Sequence, residues 1–282
     1  MKRTAPARFG MLIEADRCVG CYSCQLACRD EHSGRDHTPI AAAQPDASPS
    51  WIAIRKSERG SFPKIKVAYV PVPCLHCVEA PCIKAAPEAI TRRDDGIVII
   101  DPVKARGRRD IVDSCPYGAI SWNEAAALPQ KCTLCAHLLD DGWREPRCVE
   151  ACPTQALVFG DAADRASPLA RRLAEVKAEK LPPGTGAPAL IYSGLPGPFI
   201  AGEVVLGDRS GEPAVGVSVT LKNGTDTLHS STDAFGDFEF AGLESGAHYV
   251  LRIAHAGYKP REVSINSGDD CNLGSIELQP TR

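Results

Sequence analysis

Cys18-Val19-Gly20-Cys21-Tyr22-Ser23-Cys24-Gln25-Leu26-Ala27-Cys28 sets four thiols within eleven residues, spaced C-x2-C-x2-C-x3-C. Outward from this stretch the chain offers three further groups. Cys74, Cys77 and Cys82 are spaced C-x2-C-x4-C; Cys115 stands alone before Pro116; and Cys132, Cys135, Cys148 and Cys152 end on Pro153. Of 13 cysteines in 282 residues, all but Cys271 lie between Cys18 and Cys152. A secreted disulfide scaffold is shorter and carries an export signal, so these thiols are read first as metal ligands.

The opening spacing is that of bacterial-type ferredoxins. There, three successive thiolates wrap one cubane and the fourth, a helical turn further on, reaches a neighbouring cluster. Applied here, that crossover assigns Cys18, Cys21, Cys24 and Cys152 to one 4Fe–4S cluster, and Cys28, Cys132, Cys135 and Cys148 to a second. Cys74, Cys77 and Cys82 need a fourth ligand, and Cys115 is the one left. Twelve cysteines thus make three clusters with none over. Counting back from Cys115 by the same spacing reaches Ile111, Arg108 and Ala105, and counting forward from Cys82 reaches Ala86. Four cysteines there would complete one more site, so the plan is a four-cluster one that has lost one site whole. Zinc is the competing reading, but closed zinc sites use paired C-x2-C knuckles, and four thiols in eleven residues exceed that need. Cys271 is expected to be a buried or idle thiol.

Composition sets the remaining bounds. Hydrophobic residues at 44% and charged residues at 24% suit one or two globular domains. A balance of 32 basic against 35 acidic residues, with no basic run, gives no electrostatic case for nucleic acid. No apolar run reaches the length of a membrane span, and Met1–Gly10 lacks the apolar core of a secretory signal.

Short apolar runs flank the cysteines: 11–13, 97–100, 119–122 and 156–159 read as strands. The fold expected for 1–165 is an α+β double ferredoxin-like domain, with the 74–115 unit inserted between the halves of the other. Residues 29–73, with Trp51 and Arg59-Gly60-Ser61-Phe62-Pro63, form a long insertion expected to face a partner. Residues 167–180 are expected to be helical, with Ser167 as N-cap, Pro168 at N1 and Leu169, Leu173 and Val176 on one face. The proline- and glycine-rich stretch to 198 is expected to be a linker, making 166–198 a helix plus linker. From 199 to 282 the period changes to two, as in 215–221, 238–240 and 249–253. Turns fall at Asn223-Gly224, Phe235-Gly236-Asp237 and Ser267-Gly268. About seven strands suggest a small antiparallel β-sandwich or barrel. The string Thr232-Asp233-x-x-Gly236-x-Phe238-x-Phe240 resembles the carboxypeptidase-regulatory-like, prealbumin-type domain. Asp233 and His255 are taken as turn and surface residues, and no catalytic pair is found.

Near the cysteines, His76 is expected to pack or hydrogen-bond at a cluster's edge, not to ligate, since thiols suffice there. Lys131 is a candidate donor to cluster sulfur, or else a solvated lysine. Trp122 and Trp143 are candidates to exclude water, or else ordinary core, and His137 is assigned to packing.

The order of the cysteine groups, Cys115-Pro116-Tyr117-Gly118 and Lys131-Cys132-Thr133-Leu134-Cys135 resemble the iron–sulfur electron-transfer subunits of DMSO-reductase-family molybdopterin enzymes over residues 10–160. Arg59-Gly60, Asp95-Gly96-Ile97-Val98-Ile99-Ile100-Asp101-Pro102 and His137-Leu138-Leu139-Asp140-Asp141, with the three-cluster plan and the β domain, extend the resemblance. They point to small subunits of the pyrogallol–phloroglucinol transhydroxylase and resorcinol hydroxylase type. The resemblance implies a large partner carrying molybdenum on molybdopterin guanine dinucleotide and acting on phenolic rings, with this chain relaying or storing electrons and holding no molybdenum. Alternatives are a subunit of a formate dehydrogenase, hydrogenase or polysulfide-type reductase, or an assembly module with redox-silent clusters. The expected location is the cytoplasm, or the periplasm if the partner carries a twin-arginine signal.

Overall fold

The computed structural model describes residues 8–46, 48–224, 226–267 and 270–281. It divides into two compact units, Met1–Lys56 with Ala68–Leu195, and Ser57–Val67 with Pro196–Arg282.

In the first unit the elements run β1 (Phe9–Glu14), α1 (Ser23–His32), β2 (Ile52–Ser61), β3 (Lys64–Pro73), α2 (Pro81–Ala85), β4 (Ile90–Arg92), β5 (Val98–Ile100), α3 (Asp110–Asp113), β6 (Ser121–Asn123), β7 (Leu128–Gln130), α4 (Ala136–Asp140), α5 (Arg147–Glu150), β8 (Leu157–Asp161), α6 (Pro168–Leu173) and β9 (Leu190–Ser193). β1 reads Phe-Gly-Met-Leu-Ile-Glu and is buried from Gly10 to Glu14. A strand apolar on both faces belongs at the centre of a sheet, and β1 lies between antiparallel β8 and parallel β9. Two small hairpins, β4–β5 and β6–β7, complete the ferredoxin-like frame. The remaining helices have four to six residues, two of them holding Cys82 and Cys148. Such pieces gain little stability alone, and the core they border is built from Ile97, Ile99, Ile111, Leu75 and Leu134 together with the cysteines.

Several expectations shift. The 119–122 run becomes strand only from Ser121. Ser167 does cap the expected helix, its hydroxyl accepting from the Ala170 N–H at 3.1 Å, but the helix ends at Leu173. Beyond it the backbone of Glu179 is drawn into two hydrogen bonds with Tyr192, at 2.7 and 3.0 Å, and tertiary pairing overrides helix propensity. The stretch expected as a linker is no free tether. The Val78 and Glu79 N–H groups donate to Ala187 and Gly186, Ala189 donates to Leu75, and Leu190–Ser193 forms β9. From Ile52 onward the insertion likewise forms the β2–β3 hairpin.

The second unit holds β10 (Ile200–Leu206), β11 (Glu212–Pro213), β12 (Ser218–Asn223), β13 (Asp226–Ser231), β14 (Asp237–Phe240), β15 (Ala247–Ala254), β16 (Arg261–Ser267) and β17 (Cys271–Leu278). β13-β12-β15-β16 form one antiparallel sheet, and β10, β11, β14 and β17 the other. The second sheet departs from the antiparallel expectation, because β17 runs parallel to β10. Alternating residues such as Val219, Leu221, Leu251 and Ile253 from one sheet and Ile200, Val204, Phe238 and Phe240 from the other fill the space between them. Asp233 is a turn residue, its Oδ1 accepting from the N–H groups of Phe235 and Asp237. His255 is half-buried beside Tyr258, and Cys271 is half-buried at the start of β17. The Gly268 end of one expected turn lies outside the described residues.

The hairpin tip belongs to this unit. The Arg59 Nη1 donates to the Gly197 carbonyl (2.5 Å) and Asp270 (3.0 Å), while Lys64 and Lys66 pair with Asp237 and Glu239. Gly60 has φ +84°, and a Cβ there would lie 2.3 Å from the Lys64 carbonyl oxygen and 2.6 Å from the Phe199 ring, so only glycine fits. No helix among the described residues is long and apolar enough to cross a membrane.

Candidate metal centres

All 13 cysteines are free thiols. The ferredoxin spacing would divide twelve of them into three groups of four, and the folded chain brings cysteines distant in sequence close enough to oppose one another's ionisation. Ionisation of Cys24 is opposed by Cys18, Cys152 and Cys21; that of Cys77 by Cys74, Cys115 and Cys82; that of Cys148 by Cys132, Cys135 and Cys28. Burial is the larger cause in each case, and it pushes the Cys24, Cys77 and Cys135 thiols up to about 12. Thiols so crowded and so dry would not ionise together without cations among them.

The second group is also linked electrostatically to both of the others. Cys148 of the second group is additionally opposed by Cys24 of the first, and Cys132 of the second by Cys74 of the third. α1 makes the first of these links, because Cys24 and Cys28 are both buried and one helical turn apart. The first group is the most open: Cys21 is exposed, and the apolar side chains of Val19, Tyr22 and Leu26 around it face solvent. Gly20, at φ +66°, lets this loop lie on the Tyr69 ring, which a Cβ would meet at 2.6 Å.

Backbone N–H groups aim at the sulfurs, as thiolate-held clusters require. Leu134 donates to Cys132 at 3.3 Å, Ala156 to Cys152 at 3.3 Å and Ala119 to Cys115 at 3.4 Å. Ser23 lowers the Cys21 thiol, chiefly through its hydroxyl. At Cys28 burial raises the thiol, and the Ser50 hydroxyl with the Trp51 and Ile52 N–H groups oppose that rise. The start of the hairpin therefore supplies donors to the second group.

Cys28, Cys132, Cys135 and Cys148 line one cavity with His32, Trp51 and Thr133. Buried polar atoms of those three residues, His32 Nδ1, Trp51 Nε1 and Thr133 Oγ1, have no partner among the described residues. Cys74, Cys77, Cys82 and Cys115 line another with His76, Tyr117 and Lys131. Four thiols, an apolar wall and inward donors fit a cluster that carries negative charge at its sulfurs.

Lys131 is buried, not solvated. Its Nζ donates to the carbonyls of Val98 and Cys132 (3.0 Å to the latter), and its charge favours the thiolate of Cys82. His76 is buried too; desolvation first, then Lys131 and Arg92, push its imidazole well below the usual range. The expected tryptophans do not line these cavities. Trp143 is exposed under Arg147, Trp122 lies under Arg109, and Trp51 takes the role instead.

Other contributors carry no cysteine-like signal in the sequence. Arg92 donates to the backbone carbonyls of His76, Cys77 and Val78, clamping the third group's first loop. The stretch read as linker lies over the same loop, with the Tyr117 hydroxyl donating to the Thr185 carbonyl at 2.7 Å. His137, assigned to packing, stacks on His37 with ring centres 3.7 Å apart and hydrogen-bonds Glu31 at 3.0 Å. One ligand atom from each of Glu31, His37 and His137 lies within 4.8 Å of the others, and Arg147 pairs with the second carboxylate oxygen of Glu31 at 3.4 Å.

At the lost site, Ala86, Ala105 and Ile111 are wholly buried in the apolar core. Arg108, at the fourth position, turns outward to Glu88 and Asp110.

Residues 65–162 match the 4Fe-4S dicluster domain, and residues 200–279 match the carboxypeptidase regulatory-like domain. The chain is 35% identical over 280 residues to the pyrogallol hydroxytransferase small subunit of Pelobacter acidigallici, covering 96% of this chain and 99% of that one. It is 33% identical over 198 residues to a tetrathionate reductase subunit of Salmonella typhimurium (68% of this chain, 75% of that one). It is 30% identical over 236 residues to the arsenate respiratory reductase iron–sulfur subunit of a Shewanella species (66% and 95%). With these matches and the thiol groups together, the chain belongs to the iron–sulfur electron-transfer subunits of molybdopterin oxidoreductases, the family of the pyrogallol hydroxytransferase small subunit.

Proposed function

We propose that the twelve cysteines hold three 4Fe–4S clusters: Cys18, Cys21, Cys24 and Cys152; Cys28, Cys132, Cys135 and Cys148; and Cys74, Cys77, Cys82 and Cys115. When bound, such clusters supply reversible one-electron chemistry. The observation that supports the reading is three sets of four thiols, the second linked electrostatically to both others, the first the most open and the second wholly buried. The chain's own residues hold the thiols in place, keep water from the inner groups and aim hydrogen bonds at sulfur.

The partner is a large molybdopterin subunit in a heterodimer, and it carries the molybdenum and the catalytic residues. Its substrate is a phenolic ring of the pyrogallol or resorcinol class. End-to-end similarity to the pyrogallol hydroxytransferase small subunit favours this over the reductase-type relatives, which match about two thirds of the chain. The exposed apolar residues Phe62, Ile65 and Val67 on the 29–73 insertion support its role as a surface facing that partner. The pair works in the cytoplasm.

The test is anaerobic purification of the heterodimer and rapid mixing with a trihydroxybenzene. Cluster reduction or reoxidation within turnover, followed by EPR, is expected. Clusters that stay silent throughout turnover would contradict electron relay and leave a structural role.

A further inference from the structure

His76 stands inside the C-x2-C loop of the third thiol group at φ +45°, and its side chain is buried. Its Nδ1 accepts the Val98 N–H of β5 at 3.0 Å. An Nδ1 that accepts carries no hydrogen, so the ring hydrogen sits on Nε2. Nε2 is buried and has no partner among the described residues. His76 is among the residues that line the cavity formed by Cys74, Cys77, Cys82 and Cys115.

A buried N–H left unpaired costs about 1–3 kcal/mol, and native proteins rarely tolerate one. Neighbouring polar groups are already committed. The Lys131 Nζ is a donor and cannot accept, and the carbonyls of Val98 and Cys132 receive it. The Tyr117 hydroxyl of the same lining is turned to the Thr185 carbonyl and makes no hydrogen bond to Nε2, so the acceptors left at this cavity are the sulfurs. Ligation of a metal by Nε2 would move the ring hydrogen to Nδ1, against the Val98 N–H that already points there, and four thiols already complete a cubane.

We propose that the Nε2–H of His76 donates a hydrogen bond to a sulfur of the cluster held by Cys74, Cys77, Cys82 and Cys115, making His76 the positioning residue that raises this cluster's potential. The proposal rests on the three-cluster reading above. A donor to sulfur stabilises the reduced cluster, which carries one more negative charge, so losing it favours the oxidised form. Val98 sets the tautomer: its N–H occupies Nδ1 and leaves the ring hydrogen on Nε2.

The test is an EPR-monitored redox titration of the full-length chain as wild type, His76→Leu and His76→Gln, with iron counted in each. His76→Leu is expected to keep all its iron and to shift the oxidised-to-reduced ratio of one cluster about tenfold toward oxidised at fixed potential, about 59 mV for one electron. The other two clusters should not move. His76→Gln, whose amide nitrogen reaches the Nε2 position, is expected to recover most of the shift. Independently of any variant, proton ENDOR of the reduced wild-type chain should show a coupled hydrogen that exchanges slowly in heavy water and vanishes in His76→Leu. Unmoved potentials in His76→Leu, or no such coupled hydrogen in the wild type, would overturn the proposal while leaving the cluster in place. Strong nitrogen coupling would overturn it in favour of ligation. Cys115→Ala serves as the companion: if it failed to lose about four iron, the three-cluster reading itself would fall and the proposal with it.

Discussion

Two double substitutions separate the crossover assignment from its simpler rival, in which each run of four cysteines holds its own cluster. In the folded chain Cys148 sits among Cys132, Cys135 and Cys28, whereas Cys152 sits with Cys18 and Cys24. Cys28→Ala with Cys148→Ala therefore strikes one cluster twice. Cys148→Ala with Cys152→Ala strikes two clusters once each. Alanine cannot ligate, and a cubane short of one thiolate is expected to be lost on purification. From about twelve iron per chain, the first pair should retain about eight and the second about four. If the runs ligated locally, the two values would exchange. Iron and acid-labile sulfide on anaerobically purified chain measure this directly. Cys271→Ala, on the half-buried thiol at the start of β17, is the control and should keep all. About four iron in the Cys28/Cys148 pair together with about eight in the Cys148/Cys152 pair would refute the crossover.

Three further outcomes are expected. Trp51→Ala removes a buried wall of the second group's cavity; it should cost about 3–5 kcal/mol and speed the loss of about four iron in air, as followed by visible absorbance. Ile111→Ala opens a void where the fourth cluster is missing. It should destabilise the fold by about 2–4 kcal/mol in denaturant titration with iron content unchanged, whereas a loss of iron would show that Ile111 supports a standing cluster. Arg93 holds the Asp140 carboxyl below its ordinary range, chiefly through a hydrogen bond. A folded pKa below the unfolded one gives stability that is present above about pH 4 and lost as pH falls through the folded value. Because the pair is largely exposed, Asp140→Asn should remove less than about 1 kcal/mol at pH 7 and nothing at pH 2, as read from melting curves.

The iron–sulfur family was legible because its signal is local: thiols on tight turns recur at short fixed spacing, and Cys18 to Cys28 shows that spacing whatever surrounds it. The order of the two units was legible for a similar reason, since cysteine stops where period-two patterning starts. The walls of the sites were not. Ser50, Trp51 and Ile52 reach Cys28 from a hairpin whose sequence, polar and long, reads as loop. Arg92 acts through three carbonyls, and nothing in its neighbours marks it. The run from Pro182 to Pro188 has linker composition, yet its backbone groups pair with Val78 and Glu79 and lie over the third group. Proline and glycine break regular elements without saying whether the irregular chain is packed. The glutamate and histidines at 31, 32, 37 and 137 come together only through tertiary folding, and no spacing rule connects them.

The most direct measurement is iron, acid-labile sulfide and zinc per chain after anaerobic purification, with the reduced spins integrated by EPR. About twelve iron and twelve sulfide, with no zinc, is the expected result for three cubanes. Zinc in place of iron with no labile sulfide would contradict electron transfer outright, and about eight iron in an otherwise intact chain would contradict the third site.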